Sequence, residues 1–275
     1  MKLFALSDLH LDYKINHDAL AAIPEYPDDW LVLGGDICTG YEDLRYALTI
    51  LSKRFSRLLW VPGNHDLWSR IGGIRGKGEE KYWKLIGICR EFGVLTPEDP
   101  YPLWNGEGGA HYLVPLFLLY DYSFRPGHIP TEQAVEWANE SGIMCTDEYL
   151  LDPSPHESRI AWCHERCEYS EERIRKISGE TPLVLINHFP LREDLVRLVR
   201  IPRFSIWCGT RRTESWHMQF NASVVISGHL HIRSTNYRAD VRFEEVSLGY
   251  PKNWNQRRGI AHYLRQILPS PDPRY

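Results

Sequence analysis

Short apolar runs recur along this chain, and most of them stop abruptly at acidic, amide or imidazole side chains. Residues 2–6, 30–33, 58–61, 183–186 and 222–226 are such runs, the pattern of strands buried on both faces of a parallel sheet. Residues 112–120 make a longer run that reads as a further central strand, and 242–248 and 262–268 alternate as strands do. Over 41–55 the apolar positions fall at helical spacing (Leu44, Ala47, Leu48, Leu51, Phe55), which predicts a helix lying on one sheet face. Further helices are expected over 18–23, 79–92, 131–139 and 156–177. The opening succession of strand, helix and strand makes βαβ units, so the fold class is α/β. Between 67 and 181 the pattern loosens, beginning with a glycine-rich loop over 69–78. With no repeat and no sharp compositional linker, the chain reads as one domain over 1–275. Residues 67–181 are expected to be an insertion, largely helical, over whatever site the strands build. The proline-rich end, 269–275, is expected to be extended or frayed.

The polar residues that end the runs are the candidate chemistry. The stretch 57–66 is the clearest case: Pro62 and Gly63 stop a buried strand, and Asn64, His65 and Asp66 follow at once. The first strand delivers Asp8 and His10, the second Asp36, and the later ones His188 and then His229 and His231. Residues two apart in an extended segment point the same way, so Asp8 with His10, and His229 with His231, can each converge on a point. Open α/β sheets build their sites beyond the carboxyl ends of their strands. Taken singly, each histidine is more often a hydrogen-bonded core or surface residue. Five blocks in succession favour a shared site. Imidazole and carboxylate donors without thiolates suit manganese, iron or zinc rather than a closed structural zinc site. There are more donors than one tetrahedral ion uses. Two divalent ions about 3.5–4 Å apart would use them all, activating water and clamping the oxygens of an in-line displacement at phosphorus.

The ordered blocks Asp8-Leu9-His10, Gly35-Asp36, Gly63-Asn64-His65-Asp66, His188 and Gly228-His229-Leu230-His231 resemble those of the calcineurin-like metallophosphoesterase superfamily. The resemblance spans nearly the whole chain. It implies a four-layer α/β/β/α sandwich around two metal ions, with Asp8, His10 and His231 on one and Asn64, His188 and His229 on the other. By the same resemblance Asp36 bridges the two, and His65 acts near the leaving group as a general acid or phosphate contact. The branch of protein Ser/Thr phosphatases is not matched, because Thr39-Gly40-Tyr41 stands where that branch carries Asp-Arg-Gly. The acid that orients the catalytic histidine there is missing, and Asp66 is the expected substitute.

Net charge −4 gives no general attraction to nucleic acid or to anionic membrane. No run is long enough to span a membrane and no signal peptide fits the start, where Asp8 and His10 interrupt any apolar core. Six cysteines without a framework spacing point to a reducing, cytoplasmic setting. Cys163 and Cys167, one helical turn apart, read as a buried helix face, and Arg211-Arg212 as a solvated pair. Trp68, Tyr250 and Trp254 are candidates to stack on a substrate ring. The loop cations Arg70, Arg75 and Lys77 have no acid among them until Glu79 and could close on an anion. The expectation is therefore a phosphoesterase acting on an anionic small molecule, a phosphate mono- or diester. Two rivals are a hydrolase of an amide or other C–N bond at the same metals and a non-catalytic metal-binding interaction module.

Overall fold

The computed structural model describes residues 1–69 and 76–271. Among the described residues, ten strands form two sheets: β1 (Leu3–Leu6), β2 (Tyr26–Leu33), β3 (Phe55–Trp60), β4 (Leu103–Gly106), β5 (Gly109–Pro115), β6 (Leu183–Ile186), β7 (Ala222–Ser227), β8 (Ser234–Arg238), β9 (Val241–Glu245) and β10 (Arg265–Leu268). The first sheet has the order β10-β1-β2-β3 and the second β4-β5-β6-β7-β9-β8. β1, β2 and β3 run parallel, as do β5, β6, β7 and β9, while β10, β4 and β8 are antiparallel edges.

Alternation along the strands explains the layering. Leu3, Ala5, Val32, Leu59 and Val61 from the first sheet meet Leu113, Val184, Ile186, Val224 and Ile226 from the second in one apolar cluster between the sheets. The intervening residues, among them Leu31, Leu33, Leu58, Trp60 and Leu185, face outward onto helices. The helix Tyr41–Arg54 buries Leu44, Ala47, Leu48 and Leu51 on the first sheet's side. The helix Arg159–Arg175 buries Trp162, Cys163, Cys167 and Ile174, with Ser158 capping its first turn. The result is the expected four layers, α/β/β/α.

Several expectations shift in detail. The run 112–120 is strand only to Pro115. Beyond it the chain leaves the ladder, and the Leu118 amide bonds to the Asn187 side chain instead. The first helix lies at Lys14–Leu20 rather than 18–23. Much of 67–181 belongs to the sandwich: it supplies β4, β5 and the helices Gly78–Glu91 and Arg159–Arg175. Within it, Trp68 and the stretch from 116 to 158, through the short helix Asp147–Leu150, reach the strand ends. Trp254 is buried in the core, its indole donating to Asn16 Oδ1 at 3.0 Å. All six cysteines are buried and free.

Candidate metal centre

Every strand that ends beside the inter-sheet seam delivers polar side chains to one place. Asp8, His10, Asp36, His229 and His231 hold φ between 43° and 71°, a left-handed conformation that costs a non-glycine residue about 1–2 kcal/mol. Such strain persists only where the surroundings over-determine it, and it clusters at functional sites. These turns swing the side chains off the strand axes and inward. Gly63 is required by the same crowding, since a Cβ there would overlap the Asp36 carboxylate.

Asp8, His10 and His231 bring ligand atoms within 4.8 Å of one another, and so do Asp36, His188 and His229. Asp36 also groups with His10 and His65, which leaves its carboxylate between the two sets. His231 Nε2 lies 3.0 Å from Asp8 Oδ1 and 3.1 Å from His10 Nε2. Asp36 Oδ2 lies 3.5 Å from His188 Nε2 and 4.0 Å from His10 Nε2. The His188 Nδ1 faces the Gly34 carbonyl at 2.9 Å; a carbonyl only accepts, so Nδ1 carries the proton and Nε2 presents a lone pair. That lone pair points at the Asn64 amide oxygen, 3.2 Å away. Two acceptors converging in a buried space call for a cation. His229 Nε2 is buried with no hydrogen-bond partner, and His229 groups with Asp36 and His188; an orphaned imidazole nitrogen there fits a metal equally well.

The charges tell the same story. Burial holds the His10 imidazole down to about 3, and lowers His188 and His229, so all three are neutral donors. Burial raises the Asp36 carboxyl well above the carboxylate range, reinforced by Asp8 and Asp66. Burial works on Asp8 in the same sense but is outweighed by His231, His188 and His10, which hold it well below that range. Asp8 is further fixed by the Ser7 and Ser247 hydroxyls, at 2.5 and 2.8 Å. A buried acid crowded by other acids is stabilised in its charged form by bound cations.

Of the other sequence candidates, His65 lies in the pocket, 14% exposed, its Nε2 3.9 Å from Asp36 Oδ2 and its ring stacked on Trp68 at 3.6 Å. Burial lowers its pKa well below the ordinary imidazole value, so it is neutral. Tyr250 stacks on His10 at 4.5 Å. Asp66 does not orient His65. Its two oxygens accept backbone amides from Gly63, Asp36, Ile37 and Cys38 at 2.9–3.2 Å, so it holds the turn carrying Asp36 against the one carrying Asn64. Lys77 is mostly exposed and pairs with Asp152 at 3.5 Å; Arg70 and Arg75 lie outside the described residues. Arg211 and Arg212 are surface cations paired with Glu193 and Glu168.

Sequence reasoning missed Asp147. It is fully buried and accepts from Asn64 Nδ2 at 2.9 Å, Trp68 Nε1 at 2.6 Å and the Tyr120 hydroxyl at 3.1 Å. By taking the amide N–H, it turns the Asn64 oxygen toward the site. A pocket of about 270 Å³ opens above, lined by Asp36, Asn64, His65, His229 and His231 on one side. Its apolar wall is Met144, Leu198, Ile201, Phe204 and Leu230, residues with no local signal of function.

Residues 1–233 match the calcineurin-like phosphoesterase family. The chain belongs to this family. Along 99% of its length it is 43% identical to the [acyl-carrier-protein] phosphodiesterase PptH of Mycobacterium tuberculosis, covering 84% of that protein. The crystal structure of phosphopantetheinyl hydrolase (PptH) from the same organism superposes with a TM-score of 0.93, covering all of this chain and 97% of that one, at 43% identity. As a calcineurin-like phosphoesterase of this lineage, the chain is a metal-dependent phosphoric ester hydrolase outside the protein Ser/Thr phosphatase branch. No helix among the described residues is long and apolar enough to cross a membrane.

Proposed function

We propose that this chain cleaves the phosphodiester joining a 4′-phosphopantetheinyl arm to the serine of an acyl carrier protein. The observation that carries this reading is identity of 43%, almost end to end, to a protein named as an acyl-carrier-protein phosphodiesterase and, in its crystal structure, as a phosphopantetheinyl hydrolase. In this reading Asp8, His10 and His231 hold one divalent transition-metal ion, Asn64, His188 and His229 hold a second, and Asp36 bridges them. When bound, the ions supply Lewis acidity toward phosphoryl oxygens and an activated water.

The chain's own residues do the rest. Water adds to phosphorus, the bond to the serine oxygen breaks, and that oxygen must gain a proton. His65 is the neutral N–H donor facing the pocket, so it bonds the departing oxygen and supplies the proton. Trp68 behind its ring fixes its plane. The apolar wall and Tyr250 receive the pantetheine arm and exclude water from it. Asp66 and Asp147 are positioning residues, the first for Asp36 and the second for Asn64. An anionic substrate is retained from the sequence expectation, but the free small molecule gives way to an arm carried on a protein. The substrate-binding role expected of Arg70, Arg75 and Lys77 is not needed for it.

The test is to incubate manganese-loaded protein with holo-acyl carrier protein and follow intact mass. Conversion to the apo form with release of phosphopantetheine is expected. A carrier left unchanged while a chromogenic diester is cleaved would overturn the assignment.

A further inference from the structure

Under the proposed function, on which this inference rests, the bond cut is the one from phosphorus to the serine oxygen. The carrier's backbone must then come within one side chain's length of the metal ligands. The lip of the pocket is a contact surface, and its chemistry specifies what it touches.

Leu198 and Ile201, both on the pocket wall, are the two ends of a tight turn closed by the Ile201 amide donating to the Leu198 carbonyl at 3.1 Å. The tip between them is Val199 and Arg200. Val199 is 92% exposed, and Arg200 and the preceding Arg197 are exposed as well. Met144, on the same wall, is 59% exposed. Elsewhere on the lip, the exposed Lys252 places its ammonium 5.9 Å from the ring centre of Tyr250.

Several arginines of the surface are paired with acids. Arg192 pairs with Asp194 at 2.8 Å, Arg203 with Glu140 at 2.9 Å, Arg211 with Glu193 at 2.7 Å, and Arg238 with Asp194 at 2.5 Å. Among the described residues, Arg197, Arg200 and Lys252 have no acid beside them. In a chain of net charge −4, the uncompensated cations Arg197 and Arg200 therefore flank the pocket-wall residues Leu198 and Ile201, and Lys252 follows Tyr250, another pocket residue. Unpaired rim charge steers an oppositely charged partner and sets its register. An exposed valine at the tip of such a turn gives that partner an apolar contact to close over.

We infer that the turn 197–201, with Lys252 and Met144, is the docking surface for the carrier protein, which meets it with acidic side chains around a small apolar patch. The two sides of the lip hold the carrier so that its serine lies over the metal ligands with the arm threaded along Leu198 and Ile201.

The experiment compares wild type with the double variant Arg197→Glu, Arg200→Glu, both metal-loaded, on holo-acyl carrier protein and on bis(p-nitrophenyl) phosphate. The chromogenic ester has no protein surface and serves as the internal reference. The ratio of kcat/KM on carrier to kcat/KM on ester should fall about tenfold or more, mainly through KM, in line with the size of electrostatic steering. Added salt should weaken wild-type turnover of the carrier and have little such effect on the variant. Arg197→Lys, Arg200→Lys should keep the wild-type ratio. An unchanged ratio with an unchanged salt response, or an equal loss on both substrates, overturns the docking surface. Failure of the wild type to cleave the carrier at all is a different result, and it overturns the proposed function instead.

Discussion

Asp147 carries the clearest consequence of any single residue outside the ligand set. Its carboxylate accepts hydrogen bonds from the Asn64 amide and the Trp68 indole, so it supports both a proposed metal ligand and the ring behind His65. Asp147→Ala should weaken binding at the Asn64 site by about 10–100-fold, as loss of such outer support does elsewhere; calorimetric titration with manganese reads this. His65→Asn should act differently. Turnover should drop by about 10²–10⁴, while metal content by elemental analysis stays near that of wild type; a parallel loss of metal would make His65 a ligand instead. The candidate ligands were legible as a cluster because each sits directly after a buried run, where backbone geometry delivers it. Asp147 was not, since its partner Asn64 lies 83 residues earlier and only the fold brings them together. Asp66 was misread for the converse reason. Neighbours in sequence, it and His65 face different ways, and its oxygens are spent on the backbone.

Among the elements, the strands flanking the seam were readable from their aliphatic runs. The edges were not. β8 alternates intermediate and exposed residues along Ser-Thr-Asn-Tyr-Arg, and β4 has Trp104 as its one buried residue, so neither shows the apolar signal of a covered strand. Within 67–181, the strand β5 was expected from the run 112–120, but its hairpin partner β4 carries no such run, so the part of this stretch that belongs to the sandwich is larger than the loose pattern suggests. The turn after β3 makes a sharper prediction. Gly63→Ala would drive a methyl group into the Asp36 carboxylate and backbone, and overpacking of this kind costs about 1–3 kcal/mol. The melting temperature should fall by several degrees in calorimetry, on the order of 2–4 °C per kcal/mol for a chain of this size. Both metals should be bound more weakly, because the displaced carboxylate is the proposed bridge. A Gly63→Ala protein with wild-type melting and metal content would mean that the two turns are not in the contact described.

For the molecule as a whole, the candidate ligands Asp8, His10, Asp36 and Asn64 come from the first sheet's strand ends and His188, His229 and His231 from the second's. The proposed pair of metal ions would therefore lie across the seam between the two sheets. Ions that bind the folded state alone stabilise it by about 2.7 kcal/mol at a free concentration one hundred times Kd. Stripping them with a chelator should therefore lower the melting temperature by about 5–10 °C, and manganese should restore it; a melting point indifferent to chelation would speak against metals bridging the sheets. Neither proposed site can be assembled from one sheet. Asp8 and His10 wait for His231, and Asn64 waits for His188 and His229, so ligands made first on the ribosome remain incomplete until the chain has passed residue 231. A chain truncated before His229 would lack ligands for both proposed sites and should hold neither ion tightly, so metal content would certify that the chain has been made and folded through residue 231.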